Sequence, residues 1–238
     1  MSVLFEIEDG IANVTINRPE RMNAVDPATE EELERIWAEI EADDAIRCVV
    51  LTGAGERAFS AGADMKSDSG KSGLEYWASL NPNGFGGIAM RKSLNVPVIA
   101  RVNGLALGGG MEMVLGCDIV IASQTARFGL PEAKVGRLPL DGGMVMLQRL
   151  IPEKIAAGLM LTGRMMSAQD AAAYGLVNAV VPAEKLDEEV QSWAQDIASC
   201  APLSIKAIKA TIRKTGHLTP HEARALSMPE LITALESE

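Results

Sequence analysis

Aromatic side chains make up only 4% of the 238 residues, and histidine occurs only as His217 and His221. So few rings leave no stacking platform for the bases of a nucleic acid. The formal net charge of -10 points the same way, because phosphate backbones select basic surfaces. Cysteine is sparse as well: Cys48, Cys117 and Cys200 are odd in number, widely spaced and set among apolar neighbours. That pattern predicts buried thiols in a reducing compartment rather than disulfides. With two histidines and no Cys/His cluster at zinc spacing, no metal site is expected. No run of 18 apolar residues exists, so no membrane span is expected, and the amino terminus lacks the basic-then-apolar order of a signal peptide. A cytoplasmic protein is the resulting expectation.

What is present is aliphatic. Hydrophobic residues reach 47% and charged residues 23%, with twelve Met among them, enough to build a large core from Ala, Val, Ile, Leu and Met. Residues 3–8 and 11–17 flank Asp9-Gly10 and read as a hairpin. Pro27 opens a helix with Asp26 as N-cap and Leu33, Ile36, Trp37 and Ile40 on one buried face. Buried strands are expected at residues 47–52, 96–102 and 118–123, and a short one at 177–181. Residues 66–87 are polar and aperiodic and read as a mobile segment, followed by a helix over 85–94. Helices are expected after Asp141-Gly142-Gly143, after Pro152, after Ser167, from Pro182 to Ser199, over 202–215 and over 220–238. The layout is strand-rich α/β to about residue 142 and almost wholly helical beyond it.

Chemistry concentrates at two turns. Gly108-Gly109-Gly110 follows the strand at 96–102 and precedes Met111-Glu112, which begins a helix. Bare backbone at a helix start offers N–H groups to a developing negative charge, with one carboxylate beside them. Ala61-Gly62-Ala63-Asp64 repeats that layout, and two such donors converging on one oxygen would form an oxyanion hole. Glu112 and Glu132, after Pro131, form the strongest pair, although on composition alone either reads as a plain solvated carboxylate. If the two converge in a partly apolar pocket they cannot both ionise freely, so one stays protonated as an acid while the other acts as base. The helix dipole favours the charged form of Glu112. Asp141 reads most simply as an N-cap, and otherwise as a third carboxylate of the pocket.

Three other motifs fall short. Gly108 to Met113 lacks the last glycine of a dinucleotide fingerprint, and Gly70-Lys71-Ser72 lacks the leading glycine of a P-loop. Ala58-Phe59-Ser60-Ala61-Gly62 is one residue from the G-x-S-x-G elbow. It opens a serine-hydrolase alternative with Ser60, an acid such as Asp118, and His217 or His221.

Taken in order, Asn17-Arg-Pro-Glu-Arg-Met-Asn-Ala24, Ala58-Phe-Ser-Ala-Gly-Ala-Asp64, Val102-Asn-Gly-Leu-Ala-Leu-Gly-Gly-Gly-Met-Glu112, Phe128-Gly-Leu-Pro-Glu132 and Leu161-Thr-Gly-Arg164 resemble the crotonase (enoyl-CoA hydratase/isomerase) superfamily. The resemblance runs over residues 3–235. It implies an α/β fold, a spiral of ββα units over residues 1–198 with a helical trimerisation region over 199–238, assembled as a homotrimer or a hexamer. It implies an acyl-CoA thioester as substrate, coenzyme A as its carrier, no permanently bound cofactor, and a place in fatty acid metabolism. The N–H groups of Ala63 and Gly109 would hold the thioester oxygen. Arg21, Met22, Ala24, Ala61, Asp64, Met65 and Lys66 fall where the family grips coenzyme A.

Glu112 and Glu132 match both glutamates of the hydratases. The implied reaction is syn addition of water at C2–C3, or its reversal, with Glu112 activating the water and Glu132 protonating C2. Asp141 before the paired glycines, together with Leu130-Pro-Glu-Ala-Lys134, is similar to the carnitinyl-CoA dehydratase branch. The resemblance also implies more helix and a basic tail after residue 238. Three alternatives remain: a double-bond isomerase of the same superfamily, the serine hydrolase using Ser60, and a non-catalytic CoA-binding protein.

Overall fold

A computed structural model describes residues 1–67, 70 and 72–237. The chain begins with the expected hairpin, β1 (Val3–Glu8) and β2 (Ile11–Ile16), turning at Asp9 and Gly10, both at positive φ. Helix α1 (Pro27–Ala42) follows, its first turn capped by the Asp26 side chain accepting from the Thr29 N–H. Leu33, Ile36, Trp37 and Ile40 are buried, as their spacing requires for one apolar face.

From there the strands come in pairs. β3 (Cys48–Gly53) precedes β4 (Ala58–Ser60), and helix α2 (Gly73–Ala78) follows. β5 (Val98–Val102) and β6 (Leu105–Leu107) lead into α3 (Gly109–Gly116). β7 (Ile119–Ser123) and β8 (Arg127–Gly129) precede α4 (Gly143–Leu150) and α5 (Glu153–Thr162). β9 (Met165–Ser167), α6 (Ala168–Ala173), β10 (Ala179–Val181), α7 (Leu186–Ser199), α8 (Pro202–Thr215), α9 (Pro220–Ala225) and α10 (Pro229–Glu236) complete the chain.

The first strand of each pair joins a six-stranded sheet, β1-β2-β3-β5-β7-β10, and the second joins a four-stranded sheet, β4-β6-β8-β9. Within both, the repeated strands run parallel, with Val49 opposite Val98, Ile99 opposite Ile119 and Ala106 opposite Phe128. Each circuit of the chain therefore lays one strand in each sheet before a helix, a spiral of ββα units as expected. Parallel strands covered on both faces read as continuous apolar runs, which is how β3, β5 and β7 are written.

Several expectations are corrected. Residues 85–94 form a single 3-10 turn, Phe85–Gly87, and no helix. Gly84, Gly86 and Gly87 have φ of 69°, 61° and 69°, outside the helical region, and the bare Gly87 lies against the indole of Trp37. Part of the aperiodic segment is helical after all: Ser72 and Glu75 form a reciprocal capping box that starts α2. Residues 68, 69 and 71, which include the lysine of the P-loop imitation, lie outside the described residues. Residues 220–238 hold two helices rather than one, because Pro229 biases Met228 towards an extended backbone. In the C-terminal half β10 stands within the strand expected at 177–181, whereas β9 adds a strand that was not expected. Cys48 is buried, but Cys117 is half-buried and Cys200 is exposed. Among the described residues no helix is long and apolar enough to cross a membrane.

Candidate active site

The two turns singled out by their bare sequence meet. A Cβ built on Gly62 would lie 2.8 Å from the backbone nitrogen of Gly109, and one on Gly110 would lie 2.1 Å from the Ser60 carbonyl oxygen. Only glycine permits this approach. Ala63, beside Gly62, is exposed, and Gly109 is the first residue of α3. Among the described residues neither N–H donates to a protein acceptor, and Gly109 carries the positive end of the α3 dipole.

Glu112 stands one turn into the same helix, with its N–H bonded to the Gly108 carbonyl at 3.0 Å. Its side chain is only 3% exposed, and Oε1 accepts from the Gly143 N–H at 2.8 Å. Glu132 starts the 3-10 turn Glu132–Val135. Its Oε1 faces Gly108, 3.1 Å from where a Cβ would be, while its Oε2 is buried without a partner among the described residues. Asp141 is buried too and accepts a hydrogen bond from the Tyr76 hydroxyl of α2.

Burial dominates the electrostatics. It pushes the Glu112 carboxyl up to about 8, and the neighbouring negative charges of Asp141 and Glu132 reinforce it against the Gly143 bond. The helix dipole, expected to keep Glu112 charged, is outweighed by desolvation. Burial raises Glu132 and Asp141 as well, the latter opposed by the Tyr76 hydrogen bond. No lysine or arginine pairs with any of the three among the described residues. Burial thus raises the proton affinity of all three carboxyls, and such a group is suited to exchanging protons with a bound molecule.

Asp141 is not the N-cap of α4. That place belongs to Gly142, with no side-chain cap, because the Asp141 carboxylate is turned towards Tyr76. Ser60, fully buried, donates to the Asn23 carbonyl at 2.8 Å and accepts from the Gly62 N–H at 3.1 Å. It ties the turn together and has no histidine partner. Asp118 belongs to a separate ionic group with Lys209 and Arg213. A serine triad is therefore not assembled.

The other expected residues form one strip. The Ala61 N–H bonds the Met22 carbonyl at 3.0 Å, and the Val25 N–H bonds the Gly62 carbonyl at 2.8 Å, so residues 21–25 and 61–66 are zipped together. Arg21, Met65 and Lys66 are exposed on it, Met22 and Ala61 are half-buried, and Ala24 is buried. Asp64 is engaged internally, accepting from the Lys66 N–H at 3.1 Å and pairing with Arg18 at 3.0 Å.

Arg18, which also pairs with Asp26 at 2.8 Å and donates to the Ala24 carbonyl, holds the strip together. No local sequence pattern marks this tying role, nor those of Tyr76 and the Gly143 N–H. The Ser72-x-x-Glu75 box was the one available pointer to the helix carrying Tyr76.

Two converging bare turns thus lie beside a group of buried carboxyls, an arrangement that can offer backbone N–H groups to one oxygen and exchange protons nearby. The profile of the enoyl-CoA hydratase/isomerase family matches residues 6–232. The chain belongs to this family. It is 44% identical over 209 residues to the (E)-benzylidenesuccinyl-CoA hydratase of Thauera aromatica, covering 88% of this chain and 81% of that protein. It is 38% identical over 213 residues to the carnitinyl-CoA dehydratase of Escherichia coli K12, covering 90% and 80%. The crystal structure of an enoyl-CoA hydratase from Bacillus anthracis superposes with a TM-score of 0.91 at 34% identity, covering 100% of this chain and 92% of that one.

Proposed function

We propose that this chain is a hydro-lyase of an enoyl-CoA thioester, with Glu112 and Glu132 as its acid/base pair. The thioester oxygen accepts from the N–H groups of Ala63 and Gly109. In hydration, water adds its oxygen to C3 and gives its proton to Glu112. The C2–C3 π electrons move towards the thioester oxygen as an enolate, and Glu132 delivers a proton to C2. Elimination reverses each step: Glu132 takes the C2 proton and Glu112 protonates the departing hydroxyl. One proton is shared by the pair throughout. Each oxyanion donor contributes about 3 kcal/mol in comparable sites.

The observation that carries this reading is the buried Glu112 carboxyl, pushed up to about 8, beside a buried Glu132 oxygen, with no cation paired to either and no partner for that oxygen among the described residues. Relatives that hydrate benzylidenesuccinyl-CoA and dehydrate carnitinyl-CoA support the same chemistry here. Two acids rather than one favour water addition over double-bond migration. Coenzyme A serves as the carrier of the substrate, gripped by the strip from Arg21, Met22 and Ala24 to Ala61, Asp64, Met65 and Lys66, with Asp141 at the acyl end. The chain divides into a spiral core, residues 1–198, and a helical region, 199–238, that assembles trimers.

Hydration is measured by loss of the conjugated enoyl-thioester absorbance across short-chain, long-chain and crotonobetainyl-CoA esters. Glu112→Gln and Glu132→Gln are each expected to lower kcat by about 10³-fold. Unchanged turnover in either variant overturns the assignment.

A further inference from the structure

Helix α3 is eight residues long, on the order of 12 Å. Its first residue offers the Gly109 amide and its first turn carries Glu112, so a small tilt moves both. At its other end the last carbonyls need partners from outside the helix, and Cys117 supplies two, its thiol donating to the Met113 carbonyl at 3.3 Å and its N–H to the Val114 carbonyl at 3.1 Å. The Gly116 carbonyl is reached from α8. The Arg213 guanidinium donates to the Gly116 carbonyl at 3.2 Å, and also to the Arg91 and Leu94 carbonyls at 2.7 and 3.3 Å. One planar group thus ties the end of α3 to the segment that leads into β5.

Asp118, two residues beyond Gly116, extends the grip. Its Oδ1 lies 3.4 Å from Arg213, and its Oδ2 lies 2.8 Å from the Lys209 ammonium while accepting from the Val98 N–H at 2.8 Å. Lys209 also donates to the Val96 carbonyl, and its side chain is 5% exposed. Two apolar side chains would hold α8 to the core with less desolvation; what buried ions add is a single permitted geometry. Gly116 needs that constraint, since a Cβ there would be 2.5 Å from the Ile88 carbonyl oxygen, leaving the helix end pressed against backbone.

We propose that Arg213 and Lys209 are positioning residues for catalysis, holding the far end of α3 so that the Gly109 amide and Glu112 keep their places at the other end. This rests on the hydro-lyase reading above, and its test can fail independently of it. The groups facing Glu112 are Asp141 and Glu132, with Tyr76 bonded to Asp141. A shifted α3 alters burial among them and lets water reach Glu112.

Arg213→Met, Arg213→Lys and Lys209→Met are compared with Lys214→Met, which breaks the α8–α10 pair to Glu230 and touches nothing on α3. Arg213→Met is expected to lower kcat by about 10- to 100-fold with KM within about 2-fold of the parent. The carbon-13 carboxyl titration of Glu112 should move down by about one pH unit. Arg213→Lys should recover part of both, and Lys214→Met should change only Tm. Normal kcat with an unmoved Glu112 titration in Arg213→Met overturns the proposal, as does an equal effect from Lys214→Met. If Arg213→Met does not fold, Arg213→Lys and Lys209→Met carry the same readouts. Should the parent hydrate no enoyl-CoA, the functional reading fails, while the titration, which needs no turnover, still decides the clamp.

Discussion

Two buried groups of charge in this molecule obey opposite rules. Around Arg91, 6% exposed, Glu41 forms a two-point pair at 2.7 and 2.9 Å and Glu34 a further bond at 2.7 Å. Around Glu112, 3% exposed, the neighbours are two more acids and no cation. The first group settles its charges. The Arg91 hydrogen bond holds the Glu41 carboxyl low, and at Glu34 burial is overcome by bonds from Asn83, Arg91 and Asn81. The second group is left with protons to give and take. Burial is similar in both, so the supply of donors separates a structural cluster from a reactive one.

Removing the cation should damage the first group most. Arg91→Met leaves Glu34 and Glu41 without the cation bonded to both and is expected to cost about 3 kcal/mol, seen as a Tm about 8 °C lower. Equal stability would erase the contrast. Glu112→Gln should do the reverse. Glu112 binds a proton more tightly in the folded chain than in the unfolded one, so its contribution is intact below about 4.5 and is lost as pH rises through about 8. The variant is therefore expected to melt about 5 °C above the parent at pH 8.5, with no gain at pH 4.5. A gain independent of pH breaks the argument.

The smallest effect sharpens it. Hydration releases no net proton, so kcat/KM for both directions follows the singly protonated pair and should fall above about 8. Tyr76→Phe removes a bond that keeps Asp141 charged, which weakens its repulsion on Glu112. The alkaline limb should move down by about 0.3 pH unit, and a limb that moves up refutes the link.

The apolar runs and turn signals made the hairpin, α1 and the parallel strands β3, β5 and β7 readable from residue types alone. Glu112, Glu132 and the two bare turns were readable for the same reason: glycine and small residues before a helix mark exposed amides. The three-residue strands β4, β6 and β9 were not, because so short a piece has no period of its own and exists only through pairing. Tyr76 and the Gly143 N–H escaped because each acts across a long loop, on Asp141 and on Glu112, and neither leaves a local pattern. Asp141 misled, since an acid before two glycines looks like a cap until a hydroxyl from α2 claims it.

The order of the larger sheet has a consequence for how the chain is made. The outer edge of β7 is covered only by β10, and the intervening chain goes to β8, β9 and three helices. During synthesis that aliphatic edge therefore stays bare until residues 179–181 have emerged. A nascent chain halted anywhere between the two strands would offer a ready template to any other extended segment nearby.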